Sequence, residues 1–245
     1  MDSPGYIILS RLSAQLRATQ VLANNIANAD TPGFRAERAI FAPYPEFQRD
    51  VAGGRGNREV AYALDRATWR DTAQGPISVT GNPLDLAIRG DGFFAVETPR
   101  GERYTRAGRF SLDNARRLTD AEGNAVLDAR GTPIVFAAND TRIEIQGDGT
   151  IRSENGVVGR LRVVRFEDPQ RMQAEGARLY ASEDPPEPVE RPSLMQGAIE
   201  GSNVSAIQEM VQLTTELREF QFAAQFAERE GERLQTAVER ILHRR

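Results

Sequence analysis

Apolar residues recur at alternating steps of three and four at both ends of this chain, and at steps of two in its middle. Near the N-terminus, Leu9, Leu12, Leu16, Thr19, Ala23 and Ile26 follow the helical rhythm. Near the C-terminus, Met210, Leu213, Leu217, Phe220, Ala224, Ala227, Gly231, Leu234, Val238 and Ile241 keep it without a slip. That spacing draws a narrow seam along one side of each helix, the pattern of helices that wrap other helices. The first helix is predicted over residues 5–29. It stops at Asn28-Ala29-Asp30-Thr31-Pro32-Gly33, where Pro32 disfavours helix for Thr31 and Gly33 supplies a turn. The second is predicted from about Ser205 to His243, with Ser202 or Asn203 as its cap.

Between the seams the pattern is β. Predicted strands are Leu84–Arg89, Gly92–Glu97, Arg109–Asp113, Pro133–Ala137, Ile143–Gln146, Thr150–Ser153 and Val158–Phe166, punctuated by Gly-Asn-Pro, Gly-Asp-Gly and Asn-Gly turns. Residues 34–76 are mixed, with a flexible stretch at Gly53-Gly54-Arg55-Gly56-Asn57. A Pro-rich run over 184–192 reads as a stiff, extended tether. The expected fold is α+β: long terminal helices forming a coiled-coil region, around a central all-β domain, an antiparallel sandwich or barrel-like. Its divisions are residues 1–30, a connecting region 31–76, a β domain 77–182, a tether and return 183–203, and the last helix 204–245.

The length of the second seam matters. From Met210 to Ile241 it runs roughly 45–50 Å at the helical rise. Its seven large apolar side chains represent on the order of 10–20 kcal/mol of gross burial. A solitary helix cannot realise that gain, and a shorter first helix leaves part of the seam uncovered. Ala224, Ala227 and Gly231 form a notch for a second backbone, and Gly231 costs about 1 kcal/mol of helix propensity without such packing. The seams are therefore candidate assembly surfaces.

Composition narrows the chemistry. The chain has 245 residues and no cysteine, so neither disulfides nor thiolates act in it. All 31 basic residues are Arg, which excludes lysine chemistry of the Schiff-base or Walker type. A net charge of −4 argues against a nucleic-acid partner. No apolar run approaches a membrane span, and Arg11 and Arg17 interrupt any leader-like segment, so a cleaved signal peptide is not expected. His243 is the one histidine and is the third residue from the end; Glu228, Glu230 and Glu232 sit on a solvated helix face. Neither is a catalytic arrangement. Asp91-Gly92 and Asp148-Gly149 lack Ca²⁺-loop spacing and read as turns, as does Arg89-Gly90-Asp91. No catalytic, metal, cofactor or small-molecule site is expected. The asparagines Asn24, Asn25 and Asn28 are poor helix formers, read as a bent joint satisfied by contacts with other subunits. Trp69 suits core or interface equally.

Three blocks carry a resemblance. Ala23-Asn24-Asn25-Ile26-Ala27-Asn28-Ala29-Asp30-Thr31-Pro32-Gly33-Phe34-Arg35 resembles the signature that opens bacterial flagellar rod and hook proteins. Gly81-Asn82-Pro83-Leu84-Asp85-Leu86-Ala87-Ile88-Arg89-Gly90-Asp91-Gly92-Phe93-Phe94, continuing through Tyr104–Phe110, resembles a second block of that family. Gly201-Ser202-Asn203-Val204 resembles the lead into its C-terminal helix. Within the family, the opening around Leu9-Ser10-Arg11 and the run Gly197–Asn203 are more similar to proximal-rod than to distal-rod members. The resemblance implies a structural, non-enzymatic subunit of the flagellar basal-body rod. It further implies export through the flagellar type III apparatus, and terminal helices that pair as a coiled coil in the wall of a hollow shaft alongside other rod proteins. A soluble module docking one partner through its last helix is the alternative from a different class.

Overall fold

The computed structural model of the chain describes residues 3–48, 58–176 and 178–242, which divide into two compact units. The Gly53–Asn57 stretch and His243 lie outside the described residues, as do the side chains of Leu234, Val238 and Ile241. The fold is α+β, with one long helix at each end and antiparallel strands between.

The first unit comprises residues 1–27, 37–69 and 205–245. Helix α1 is Ser3–Ala27 and helix α2 is Ala206–Leu242, at 25 and 37 residues. Helical rise makes them about 37 and 55 Å long. Asn25 meets Glu209 while Arg11 meets Glu219, so the two run antiparallel. Strands β1 (Glu37–Gln48) and β2 (Arg58–Arg70) pair as a two-stranded arm. This arm was not legible in the sequence, where 34–76 read only as mixed.

The second unit comprises residues 28–36 and 70–204. Its strands are β3 (Ile77–Val79), β4 (Leu86–Arg89), β5 (Phe93–Thr98), β6 (Gly101–Thr105), β7 (Ser111–Leu112), β8 (Leu118–Thr119) and β9 (Ala125–Val126). After these come β10 (Ile143–Ile145), β11 (Thr150–Ser153), β12 (Gly156–Arg160) and β13 (Val163–Arg165). The last are β14 (Gln173–Glu175), β15 (Leu179–Ala181), β16 (Glu187–Pro188), β17 (Ser193–Gln196) and β18 (Ala198–Glu200). The main sheet runs in the order β14-β15-β6-β5-β9-β8-β7 and stays open rather than closing into a barrel.

Strand β5 organises the interior because both its faces are covered. Phe94 and Val96 point into a cluster with Leu86, Ile88, Phe110, Leu118 and Val126. Ala95, on the opposite face as strand alternation requires, joins Tyr104, Phe166, Met172 and Tyr180, with Phe93 packed against them. Edge-to-face ring pairs fill both sides: Phe94–Phe110 at 5.2 Å and Tyr104–Phe166 at 4.8 Å between centroids.

Several strand expectations need correction. Val158–Phe166 is two strands, β12 and β13, which enter different sheets on either side of Leu161 and Arg162. Pro133–Ala137 forms only isolated bridges from Pro133 and Val135, since a proline removes a ladder donor. Part of the Pro-rich run is stitched to the sheet: Glu187 and Pro188 pair with Arg165 and Val164, and Val189 donates to the Val163 carbonyl at 2.9 Å.

Candidate functional site

The first two sequence blocks meet at one carboxylate of the second unit, Glu200, which immediately precedes the third. Glu200, 1% exposed, receives Arg35 on Oε1 and Arg106 on Oε2, each at 3.0 Å. The Gly75 N–H donates to Oε1 at 3.2 Å, and the Gly33 N–H to the Glu200 carbonyl at 2.9 Å. Arg106 also donates to the Gly92 and Gly90 carbonyls at 2.6 and 2.9 Å, so the second block is tied to the third through its glycine turn. Burial pushes the Arg106 guanidinium below its ordinary value, and Glu200 opposes that push. Arg35 donates further to the Thr72 and Ala73 carbonyls.

The motif glycines are where backbones touch. A Cβ on Gly33, whose φ is +71°, would stand 2.5 Å from the Arg106–Ala107 peptide. One on Gly108 would stand 1.6 Å from the Leu86 carbonyl oxygen. The other motif residues build turns. Asn82 and Thr80 each donate to Asp85, at 3.0 and 2.7 Å, and Asn82 Oδ1 accepts from the Leu84 N–H past Pro83. Thr31 donates to Asn28 Oδ1 at 3.1 Å, closing the turn that leads through Pro32 to Phe34.

Ser202 and Asn203 do not cap α2, which begins at Ala206. Ser202 Oγ accepts from the Val204 N–H. Asn203 Oδ1 accepts from the Ala36 N–H at 2.7 Å, and its amide donates to the Asp71 and Ala73 carbonyls at 3.1 and 3.0 Å. That side chain bridges three chain segments, which its place three residues before a helix did not disclose. Beside the cluster lies a cleft of about 660 Å³, lined by Arg35, Arg106, Phe93 and Tyr180 among others.

In the first unit the predicted seams split between two faces. On α1, the side turned inward carries Ala14, Gln15, Val21, Leu22 and Asn25. Of the predicted seam, Leu12 and Ile26 are half-buried, Ala23 is exposed, and Leu9 and Leu16 are 60% and 54% exposed. On α2, Glu209 is buried; Leu213, Glu216, Phe220, Ala223, Ala224 and Ala227 are half-buried; Met210, Leu217 and Gly231 are exposed. A second apolar set on α2, Ile207, Val211, Phe222 and Phe226, is exposed as well, with Phe222 at 72%. At about 3.6 residues per turn it lies across the helix from Glu209, Phe220 and Ala227. Sequence reasoning missed that second set because its steps cross the seam's own rhythm. Among the described residues, and leaving aside the helix's own adjacent backbone, nothing stands within 4 Å of a Cβ placed on Gly231. Asn25 is satisfied at home, by Glu37 and Glu209, which corrects the expectation of partners from other subunits.

Three family matches follow the chain in order. Residues 6–35 match the flagella basal body rod protein family, 87–153 the flagellar hook protein FlgE/F/G D1 domain, and 195–240 the flagellar basal body rod FlgEFG protein C-terminal region. The flagellar basal-body rod protein FlgF of Mesorhizobium japonicum is 35% identical over 227 residues, 91% of each chain. The chain belongs to the flagellar basal-body rod protein family. FlgF of Caulobacter vibrioides is 34% identical over 98% of each chain. FlgG of Bacillus subtilis is 29% identical over 89% of this chain and 91% of its own. The family's N-terminal match ends at Arg35 and its C-terminal match includes Glu200, so the shared carboxylate joins separately recognised regions. No described helix is long and apolar enough to cross a membrane.

Proposed function

We propose that this chain is a structural, non-enzymatic subunit of the flagellar basal-body rod, of the proximal, FlgF-like type, which polymerises through its terminal helices. The observation that carries the reading is the pair of uncovered apolar faces: Leu9 and Leu16 on the outward side of α1, and Ile207, Val211, Phe222 and Phe226 on α2. Full burial of six such side chains is worth on the order of 10 kcal/mol. The two faces are different surfaces, and a head-to-tail contact in which one meets the other on the next copy is heterologous; heterologous contacts that do not close build helical filaments. The open space at Gly231 suits the close approach of a neighbour's backbone.

In this reading the helices pair as a coiled coil in the wall of a hollow shaft. Neighbouring rod proteins are the partners. The flagellar export apparatus delivers the chain, and no nucleic acid, cofactor or small molecule is involved. The proximal assignment is supported by the FlgF relatives from Mesorhizobium and Caulobacter, which exceed the Bacillus FlgG in identity.

The test is a Leu16→Asp/Phe222→Asp chain in a strain lacking the native gene. Both positions are exposed, so circular dichroism and melting should match the parent while the protein is missing from purified basal bodies and cells do not swim. Normal swimming would overturn the reading. A soluble binding module would instead saturate at one partner per chain in sedimentation.

A further inference from the structure

The first unit contains three elements that apolar packing alone does not hold in one geometry: α1, α2 and the arm of β1 and β2. Hydrophobic contact is non-directional, and a two-stranded hairpin by itself is marginal in water. At the root of the helix pair, one desolvated polar group meets all three. Asn25 has no exposed surface and pairs with the backbone of Glu37 as a neighbouring strand would. Its Oδ1 accepts from the Glu37 N–H at 3.0 Å, and its Nδ2 donates to the Glu37 carbonyl at 2.8 Å. The same Nδ2 reaches Glu209 Oε2 at 3.2 Å. Arg38, the next residue of β1, donates to Glu209 Oε1 at 2.9 Å and to Gln212 Oε1 at 3.1 Å.

We propose that Asn25, Glu209 and Arg38 form a clasp that makes the arm and the helix pair one mechanical body, with Glu209 as its positioning residue. One carboxylate oxygen is held by α1 and the other by the arm, and α2 carries the carboxylate itself. Glu209 is 2% exposed, and in so dry a setting its bonds are strong and directional, while leaving any one unmade is costly. The clasp goes beyond the rod assignment and does not rest on it, since it is tested in the isolated full-length chain.

Because the chain has no cysteine, spin labels are placed on cysteines introduced at Ile40 of β1 and Val211 of α2, both exposed. The parent should give one narrow distance distribution. Arg38→Met, Glu209→Gln and Asn25→Ala should each broaden it. Each should also speed amide exchange at Glu37 by about 100-fold or more, while β5 and β6 exchange as before. Arg38→Met alters a side chain 42% exposed and keeps the test decisive if Asn25→Ala does not fold. A distribution as narrow in Arg38→Met and Glu209→Gln as in the parent would overturn the clasp, even if both variants melt earlier. Glu209 would then merely favour the first turn of α2 as an acidic residue near a helix N-terminus.

Discussion

Glu200→Ala is the substitution that most directly tests how the second unit is held together. It removes the carboxylate shared by Arg35 and Arg106, whose side chains are 8% and 2% exposed. Breaking a buried ion pair by removing one partner costs about 3–5 kcal/mol, because the remaining charge stays desolvated. The Gly75 N–H also loses its acceptor, worth about 1–3 kcal/mol, though the two effects overlap. A loss of about 4–6 kcal/mol is a large share of the roughly 5–15 kcal/mol that holds a typical domain. At about 2–4 °C per kcal/mol for a chain of this size, the melting midpoint should fall by on the order of 10–20 °C. The assay is thermal unfolding by circular dichroism, with amide exchange at Phe94 and Val96 to assign the transition to this unit. The triple change Arg35→Met/Glu200→Met/Arg106→Met removes the orphaned charges and should recover much of the loss. A loss below about 1 kcal/mol for Glu200→Ala would refute the view that this carboxylate is the unit's electrostatic centre.

Three further outcomes follow from the geometry. Gly108→Ala should cost about 3 kcal/mol or more in urea unfolding, because its methyl would overlap the Leu86 carbonyl and move β4; parent-like stability would show the approach to be looser. The Thr141 hydroxyl, with the Thr141 and Arg142 backbone N–H groups, holds the Glu154 carboxyl at about 2 instead of 4.5. Carbon NMR should find that low midpoint and Thr141→Val should raise it; the associated stability is present above pH 4.5 and lost as pH falls toward about 2. Burial first, and Glu102 second, push the Tyr104 phenol up to about 12. An ultraviolet titration should therefore show it ionising after the ordinary tyrosines, its stabilising effect present below pH 10 and lost as pH rises through about 12, and Tyr104→Phe should delete that late step.

Much of the fold was legible because local rules agreed with tertiary structure. Thr31-Pro32-Gly33 ends α1 as its chemistry requires, and Thr150–Ser153 is a strand from end to end. The arm of β1 and β2 was hidden because Pro43 and Pro45 interrupt an otherwise alternating run. The long strand expected over Val158–Phe166 failed because periodicity cannot show where a chain changes sheets. The apolar seams were visible, yet not which side of each helix its partner would cover: 3.6-fold spacing describes a face and does not say what lies against it. Glu200 was invisible as a centre. It looks like any acidic residue in a turn, and only the convergence of Arg35 and Arg106 from distant blocks gives it meaning.

That convergence also dictates an order of events. Arg35, Arg106 and Glu200 are far apart along the chain, so closing the cluster means closing very long loops, slow steps in any folding reaction. A chain that emerges from a ribosome or a narrow channel with its N-terminus leading presents both arginines long before their carboxylate. Until residue 200 appears, neither cation has its buried counter-charge, and the β unit cannot reach its final form. Completion of the fold is therefore timed by the arrival of the last residues before α2, and that helix is the next segment out. The β unit closes just as α2, the second of the two helices, follows it out.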